Sequence, residues 1–405
     1  MAALLVVLCT TGAMARRLTS VEQVAKLSAS DGSAYDYLGG SVAMFDDRIV
    51  AGAFGDDSDQ GAAYVFNATT YAQVAKLVAS DGSQSDEFGN SVAIYADTIV
   101  VGANEDSDLG TNAGAAYVFS GETQVAKLKA SDGSEYDYFG WSVAIFENTI
   151  VVGSILDDEE NTNAGAAYVF DASTFEQIWK LTASDGGYDD YFGYAVAIFN
   201  DVIVVGAPRD DDVTFNAGAV YVYENGVQVC KLVASDGERE GYLGETVALY
   251  NDTIVAGASY TDASSNDQGA VYVFRYNSTT YVQLWKLVAS DGSANDWFGV
   301  SVAIYDGIIV VGASGDNDEG AEAGSAYVFE YDDDDGDNNN YARLVAKLLA
   351  SDGFRFDYFG SSVAAYQNTI VAGAYSDNVG SSLNVGSAYV FSIDSPTYAP
   401  AVALA

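Results

Sequence analysis

The sequence predicts an all-β fold, a seven-bladed β-propeller of four-stranded antiparallel blades. Three observations carry this. Lys-Leu followed by Ala-Ser-Asp-Gly recurs from Lys26, Lys76, Lys127, Lys180, Lys231, Lys286 and Lys347, at spacings of about 50 to about 60 residues, inside the range that marks propellers, solenoids or arrays. Each unit carries four short runs rich in Val, Ile, Tyr and Phe, punctuated by Gly, Asp and Asn; in the third they read QVAKLKA, WSVAIF, TIVVGS and AGAAYVF. No segment shows the helical period. A β-solenoid is the alternative, but its repeats are usually shorter.

Each strand has its own reason. SVAIF is short and built of small residues, suited to the crowded central channel. The TIVVG and GAAYVF runs are apolar on both sides, as expected of strands covered on both faces. QVAKL alternates, which suits the splayed rim, and seven of the eight Lys occupy one position on it, where Lys blocks sheet-to-sheet pairing. QVAKL is therefore the outermost strand. The chain starts with such a run at Val21 to Leu27 and ends with a third-strand run at Gly386 to Phe391, so the last blade lacks its outer strand. The N-terminal strand is expected to supply it and so close the ring.

Domain bounds follow: a leader over 1–15, the propeller over 20–392 and a Pro/Ala-rich tail over 393–405. The leader reads AALLVVLC after Met1, with Ala13-Met14-Ala15 as a cleavage site. Cutting it would remove Cys9 and leave Cys230 alone, so Cys230 is read as a small apolar filler. No later run approaches the ~20 apolar residues of a membrane span. A net charge of −42 argues against nucleic acid and anionic membranes as partners, and favours cations or positively charged surfaces. The absence of His removes the commonest general base, the usual zinc ligand and any Ser-His-Asp triad.

With these residues aligned, the units resemble FG-GAP repeats, the seven-bladed propeller type at the head of integrin α chains. The FG element stands at Phe88-Gly89, Phe139-Gly140, Phe192-Gly193, Phe298-Gly299 and Phe359-Gly360, with Leu38-Gly39 and Leu243-Gly244 as variants, and GAP is literal at Gly206-Ala207-Pro208. The resemblance implies a recognition or adhesion domain rather than an enzyme. It also implies calcium loops of the form DxDxDG between first and second strands. Here that connection is a tight turn, such as Glu147-Asn148 or Asn251-Asp252, so those sites do not carry over.

The two faces differ. Strand four to the next strand one, and strand two to strand three, connect on one face, and roughly two-thirds of the acids fall in those connections. They include DDSD from Asp56, EDSD from Glu105, DDEE from Asp157 and Asp158, DDD across Asp210, Asp211 and Asp212, and DNDE from Asp316. That face is the expected ligand face. Three of its loops read D-x-D-x-G, with Asp57 and Asp59, Asp106 and Asp108, and Asp316 and Asp318 as the carboxylates; they are read either as shallow calcium sites or as solvated turns. The glycosylation patterns at Asn67, Asn251 and Asn277 lie in the opposite connections and are read either as glycan sites or as chance. The insert YDDDDGDNNNY from Tyr331 is read as a disordered acidic loop.

Three functions fit. The first is a monomeric secreted or surface protein that binds a protein or glycan ligand, cationic or calcium-bridged, on the acidic face. The second is an acidic matrix or wall protein that gathers divalent cations. The third is a glycan-active enzyme with paired carboxylates, a chemistry that requires one pair unlike the rest. The most divergent unit is the fifth, where ERE from Glu238 and then Gly241 replace the usual acid before Tyr-Leu-Gly. Asp36, Asp86, Asp137, Asp190, Asp296 and Asp357, which recur before the FG element, are expected to hold loop N–H groups. Phe139 is expected to pack between blades and Gly140 to permit close backbone approach.

Overall fold

A computed structural model describes Leu18 and residues 20–331 and 342–394. The expectations for the leader over 1–15, for residues 332–341 of the acidic insert and for the tail from 395 lie outside these residues. Within them the strands form seven four-stranded antiparallel sheets. In blade 1 the order from the axis outward is Val42–Phe45, Arg48–Ala53, Ala62–Asn67 and Gln73–Leu77. SVAIF-type runs are innermost and QVAKL-type runs outermost, as their patterning requires.

Blade 7 closes the ring. Its strands Val363–Tyr366, Thr369–Ala374 and Ser387–Asp394 are completed by the N-terminal strand Ser20–Leu27, which pairs antiparallel with the last strand from Ser20↔Asp394 to Leu27↔Ala388. The last strand runs to Asp394, beyond the expected bound at 392, because Ile393 pairs with Val21 and is buried.

The core sits between blades. Middle strands such as Ile150, Val151 and Val152 are covered on both faces. Phe139 is wholly buried with Val100, Val118 and Leu128 of blade 2 and with Ile150, Tyr168 and Phe170 of blade 3. Its ring meets Tyr168 edge-on at 5.5 Å, a geometry the aromatic quadrupole favours. Gly140 has φ 94°, and a Cβ there would lie 2.2 Å from the Ala115 carbonyl oxygen. Side-chain hydroxyls tie five of the blades to the next, from Ser91, Ser142, Thr246, Ser301 and Ser362: Ser91 donates to the Gly140 carbonyl at 2.8 Å, and Ser362 of blade 7 donates to Gly39 of blade 1 at 2.7 Å.

One feature of the axis was not expected from small inner strands. Each ends in an aromatic residue, and Phe45, Tyr95, Phe146, Phe199, Tyr250, Tyr305 and Tyr366 form a closed circle with neighbouring centroids 4.7 to 5.0 Å apart. Interplanar angles of 41° to 55° match the rotation from one blade to the next.

Candidate functional site

The acidic face is assembled from one motif repeated seven times. On each third strand a Tyr stands opposite the Lys of the outer strand: Tyr64↔Lys76, Tyr117↔Lys127, Tyr168↔Lys180, Tyr221↔Lys231, Tyr272↔Lys286, Tyr327↔Lys347 and Tyr389↔Lys26. Strand alternation points both side chains of a pair to one side, and each ammonium lies 5.0 to 5.4 Å from its Tyr centroid. The two acidic connections then meet over this pair. In blade 4 Lys231 Nζ donates to Asp185 at 2.9 Å and Asp212 at 2.6 Å and lies 2.7 Å from Asp210, while the Tyr221 hydroxyl donates to Asp185 at 2.9 Å and Asp210 at 2.6 Å. Contact of one Lys with both loops puts the two connections on the same face.

Blades 2, 3 and 6 repeat the three-acid arrangement with Lys127, Lys180 and Lys347. Blade 7 is completed across the closure, where Lys26 reaches Asp352 and Asp377, each at 2.7 Å. The rim Lys residues are therefore clamped inside the loops, in addition to marking an edge. Burial works against the charge of Lys127, but its hydrogen bonds to Asp106, Asp108, Tyr117 and Asp81 outweigh it and hold the ammonium above its ordinary pKa. Asp108, bonded by Lys127 and Lys129, is held down at about 2.

The D-x-D-x-G carboxylates sort accordingly. Asp106 and Asp108 converge on Lys127, and Asp316 and Asp318 on Lys347, so a calcium ion on either pair must displace an ammonium. In blade 1 the register differs by one from the sequence reading. Asp56 takes the buried place and bonds Lys76, while Asp57 and Asp59 are exposed. That loop has four residues between Asp56 and Gly61, against seven between Asp106 and Gly114. It turns through Asp57, Ser58 and Asp59, all at positive φ. Of the acids assigned to the ligand face, Asp157 and Asp210 are buried on Lys180 and Lys231, and Asp212 joins Lys231. Asp158 and Asp211 are exposed.

A second ring of acids holds the loops. Asp137 accepts the Ser134 N–H at 2.6 Å, and Asp36, Asp86, Asp190, Asp296 and Asp357 do the same for the residue three before each. Burial pushes Asp137, Asp190, Asp296 and Asp357 up to about 6 against that hydrogen bond, and the acid on the neighbouring loop adds to the shift.

Asn67, Asn251 and Asn277 lie on the opposite face, in turns after first or third strands. Asn67 Oδ1 accepts the N–H groups of Thr69 and Thr70, and Asn277 accepts those of Thr279 and Thr280. Cys230 is half-buried, and burial pushes its thiol up to about 11, away from the reactive thiolate.

The FG-GAP repeat model matches residues 21–66, 71–119, 123–170, 175–223, 227–274, 281–329 and 343–391. The chain belongs to the FG-GAP repeat family. Each matched FG-GAP unit begins with the outer strand of the preceding blade, so sequence unit and blade are offset by one strand. That offset is what makes the N-terminal strand complete blade 7. No curated protein matches the sequence. Among the described residues, no helix of this FG-GAP propeller is long and apolar enough to cross a membrane.

Blade 5 breaks the pattern. Thr261 stands where the other six carry the buried Asp of the second connection, and Gly241 where they carry the loop-holding Asp. Among the described residues Lys286 is left with Asp236 as its ion-pair partner. Beside it, between blades 4 and 5, is a cavity of about 400 Å³ lined by Tyr191, Tyr194, Arg209, Tyr242, Glu245 and Tyr260, with Glu240 and Asp267 also in the wall. The sequence signal for this place was the departure of the fifth unit; the aromatic wall came from residues in two units and was missed.

Proposed function

We propose that this FG-GAP propeller is a secreted or surface-exposed recognition protein that binds a protein or glycan ligand on its acidic face without catalysis. The observation that carries this is the division of labour among the acids. The inner carboxylates are consumed by Lys, Tyr and backbone N–H groups. A second set, including Asp57, Asp59, Asp158 and Asp211, is exposed on the same face, Asp211 while also accepting the Asn216 N–H at 2.6 Å. Such a field steers a positively charged partner and sets its orientation. Calcium enters this reading as a bridge between the exposed carboxylates and a ligand, because the inner ones already hold a cation. Glycans at Asn67, Asn251 and Asn277 would cover the other face and leave this one bare.

The test is a paired-face comparison. The intact chain, a variant with Asp57, Asp59, Asp158 and Asp211 changed to Ser, and a variant with Asp97 and Asp201 of the opposite face changed to Ser are applied to protein and glycan arrays, with calcium and with chelator. Binding lost in the first variant and kept in the second supports the reading. Equal loss in both, or release of reducing sugar from a bound glycan, overturns it.

A further inference from the structure

Sevenfold repetition provides an internal control. Whatever the propeller needs to fold is present in every unit, so a feature found once is not required by the architecture. The cavity between blades 4 and 5 carries two such features, beside Tyr191 and Tyr242, whose position is also Tyr at Tyr37, Tyr138 and Tyr358. The residue after the FG element is Gly40, Asn90, Trp141, Tyr194, Val300 or Ser361 in six units and the acid Glu245 in the fifth. Two residues after the Gly-Ala element stand Gly55, Glu105, Leu156, Arg209, Gly315 and Ser376 elsewhere, and Tyr260 here.

The wall has a definite chemistry. Tyr242 and Tyr260 meet edge-on with centroids 5.3 Å apart, and Tyr194 packs at a tilt of 54° against Trp141 with centroids 5.5 Å apart, so the rings are braced by neighbours. Glu245 Oε2 accepts the Ser259 hydroxyl at 2.5 Å, and among the described residues no ion pair reaches it. Burial raises its pKa. Arg209, the cation of the wall, lies against Tyr191 of the same wall, 4.3 Å from its centroid with the guanidinium donating to the Tyr191 hydroxyl at 3.2 Å. Glu240 and Asp267 add two more carboxylates. An anion would meet three acids. A neutral ligand would displace water from Glu245 without replacing the lost solvation, which is costly for a carboxylate. A cation neutralises it, and aromatic faces attract cations whose charge is spread over methyl groups.

We propose that this cavity binds a methylated ammonium group, with Glu245 balancing its charge and Tyr194, Tyr242 and Tyr260 enclosing its methyls. The proposal rests on the reading that this face is the binding face, and names the chemistry of one subsite on it. Choline and Nε-trimethyl-lysine carry the same group and are the two sources to separate.

The experiment is calorimetric titration of the full chain with tetramethylammonium chloride at constant ionic strength set by sodium chloride, repeated with choline and with Nε-trimethyl-lysine. The variants are Glu245→Gln and Tyr260→Gly; Gly occupies the second position in blades 1 and 6, so the fold accommodates it. Saturable binding of tetramethylammonium is expected, weakened at least tenfold in each variant, while the melting temperature of Tyr260→Gly stays at that of the wild type. The tighter of the two natural cations identifies the source. No saturable binding, binding abolished equally by added sodium, or wild-type affinity in Tyr260→Gly would each overturn the proposal. If array binding depends on Asp57, Asp59, Asp158 and Asp211 but tetramethylammonium does not bind, the subsite fails and the recognition reading stands. If tetramethylammonium binds and the arrays show no face dependence, the reverse holds.

Discussion

Replacing Lys231 with Met tests whether the repeated clamp stabilises the ring. The ammonium is 17% exposed and its deepest partner, Asp210, 2%. Removing one member of a buried pair strands the other charge, at a cost of ~3–5 kcal/mol. The Tyr221 hydroxyl continues to bond Asp210 at 2.6 Å, which places the loss near the lower bound. Asp185 and Asp212 are 37% and 61% exposed, so their pairs add only ~0.2–1 kcal/mol each. The expected destabilisation is about 3 kcal/mol in a urea titration of the full chain, read as a lower midpoint at unchanged slope. Asp210→Asn in the Lys231→Met background should restore most of it, because the stranded charge is the source of the cost. The variant also leaves three carboxylate oxygens within 4.8 Å of one another and no ammonium among them, so calcium should stabilise it more than it stabilises the wild type. An unchanged midpoint, or a double variant no better than the single one, would refute the clamp.

Other outcomes follow from the same geometry. The pKa values of about 6 for Asp137, Asp190, Asp296 and Asp357 lie above the unfolded value, so their ionisation opposes folding. Stability should therefore rise as pH falls from 7 through about 6. Asp31, Asp81, Asp132 and Asp352 are held below the unfolded value, so their contribution is present above it and is lost only on further acidification. Melting against pH should peak between these windows, and Asp137→Asn should raise the melting temperature at pH 7.5 with little change at pH 4.5. Gly140→Ala should cost at least ~3 kcal/mol, from a clash with a backbone oxygen at positive φ, measured by urea unfolding. Removing residues 1–27 uncovers the edge of the last strand, and light scattering should show self-association, since an unpaired edge templates further pairing.

Much of this was readable in the chain. Seven units in register, apolar middle strands and an alternating QVAKL run specify blades, strand order and the closing role of Val21 to Leu27, because strand periodicity and repeat spacing are local properties. The loop-holding role of Asp137 was equally local, a bond to a residue three before it. The fate of the D-x-D-x-G acids was not. Whether Asp106 faces water or Lys127 depends on a cross-strand register that brings residues about twenty apart to one ammonium, and the displacement from Asp57 to Asp56 depends on a shortened loop's turn.

The sequence by itself determined a ring of seven like blades and an excess of acids on one side of it, since both follow from patterns that repeat along the chain. The tertiary structure decided which acids are spent. It placed Lys26 against Asp352, and it brought Glu245 and Tyr260 of one blade to Tyr194 of the preceding one. Those encounters arise from packing between segments distant in sequence, where charge is either cancelled or left for a ligand, and no local pattern encodes them.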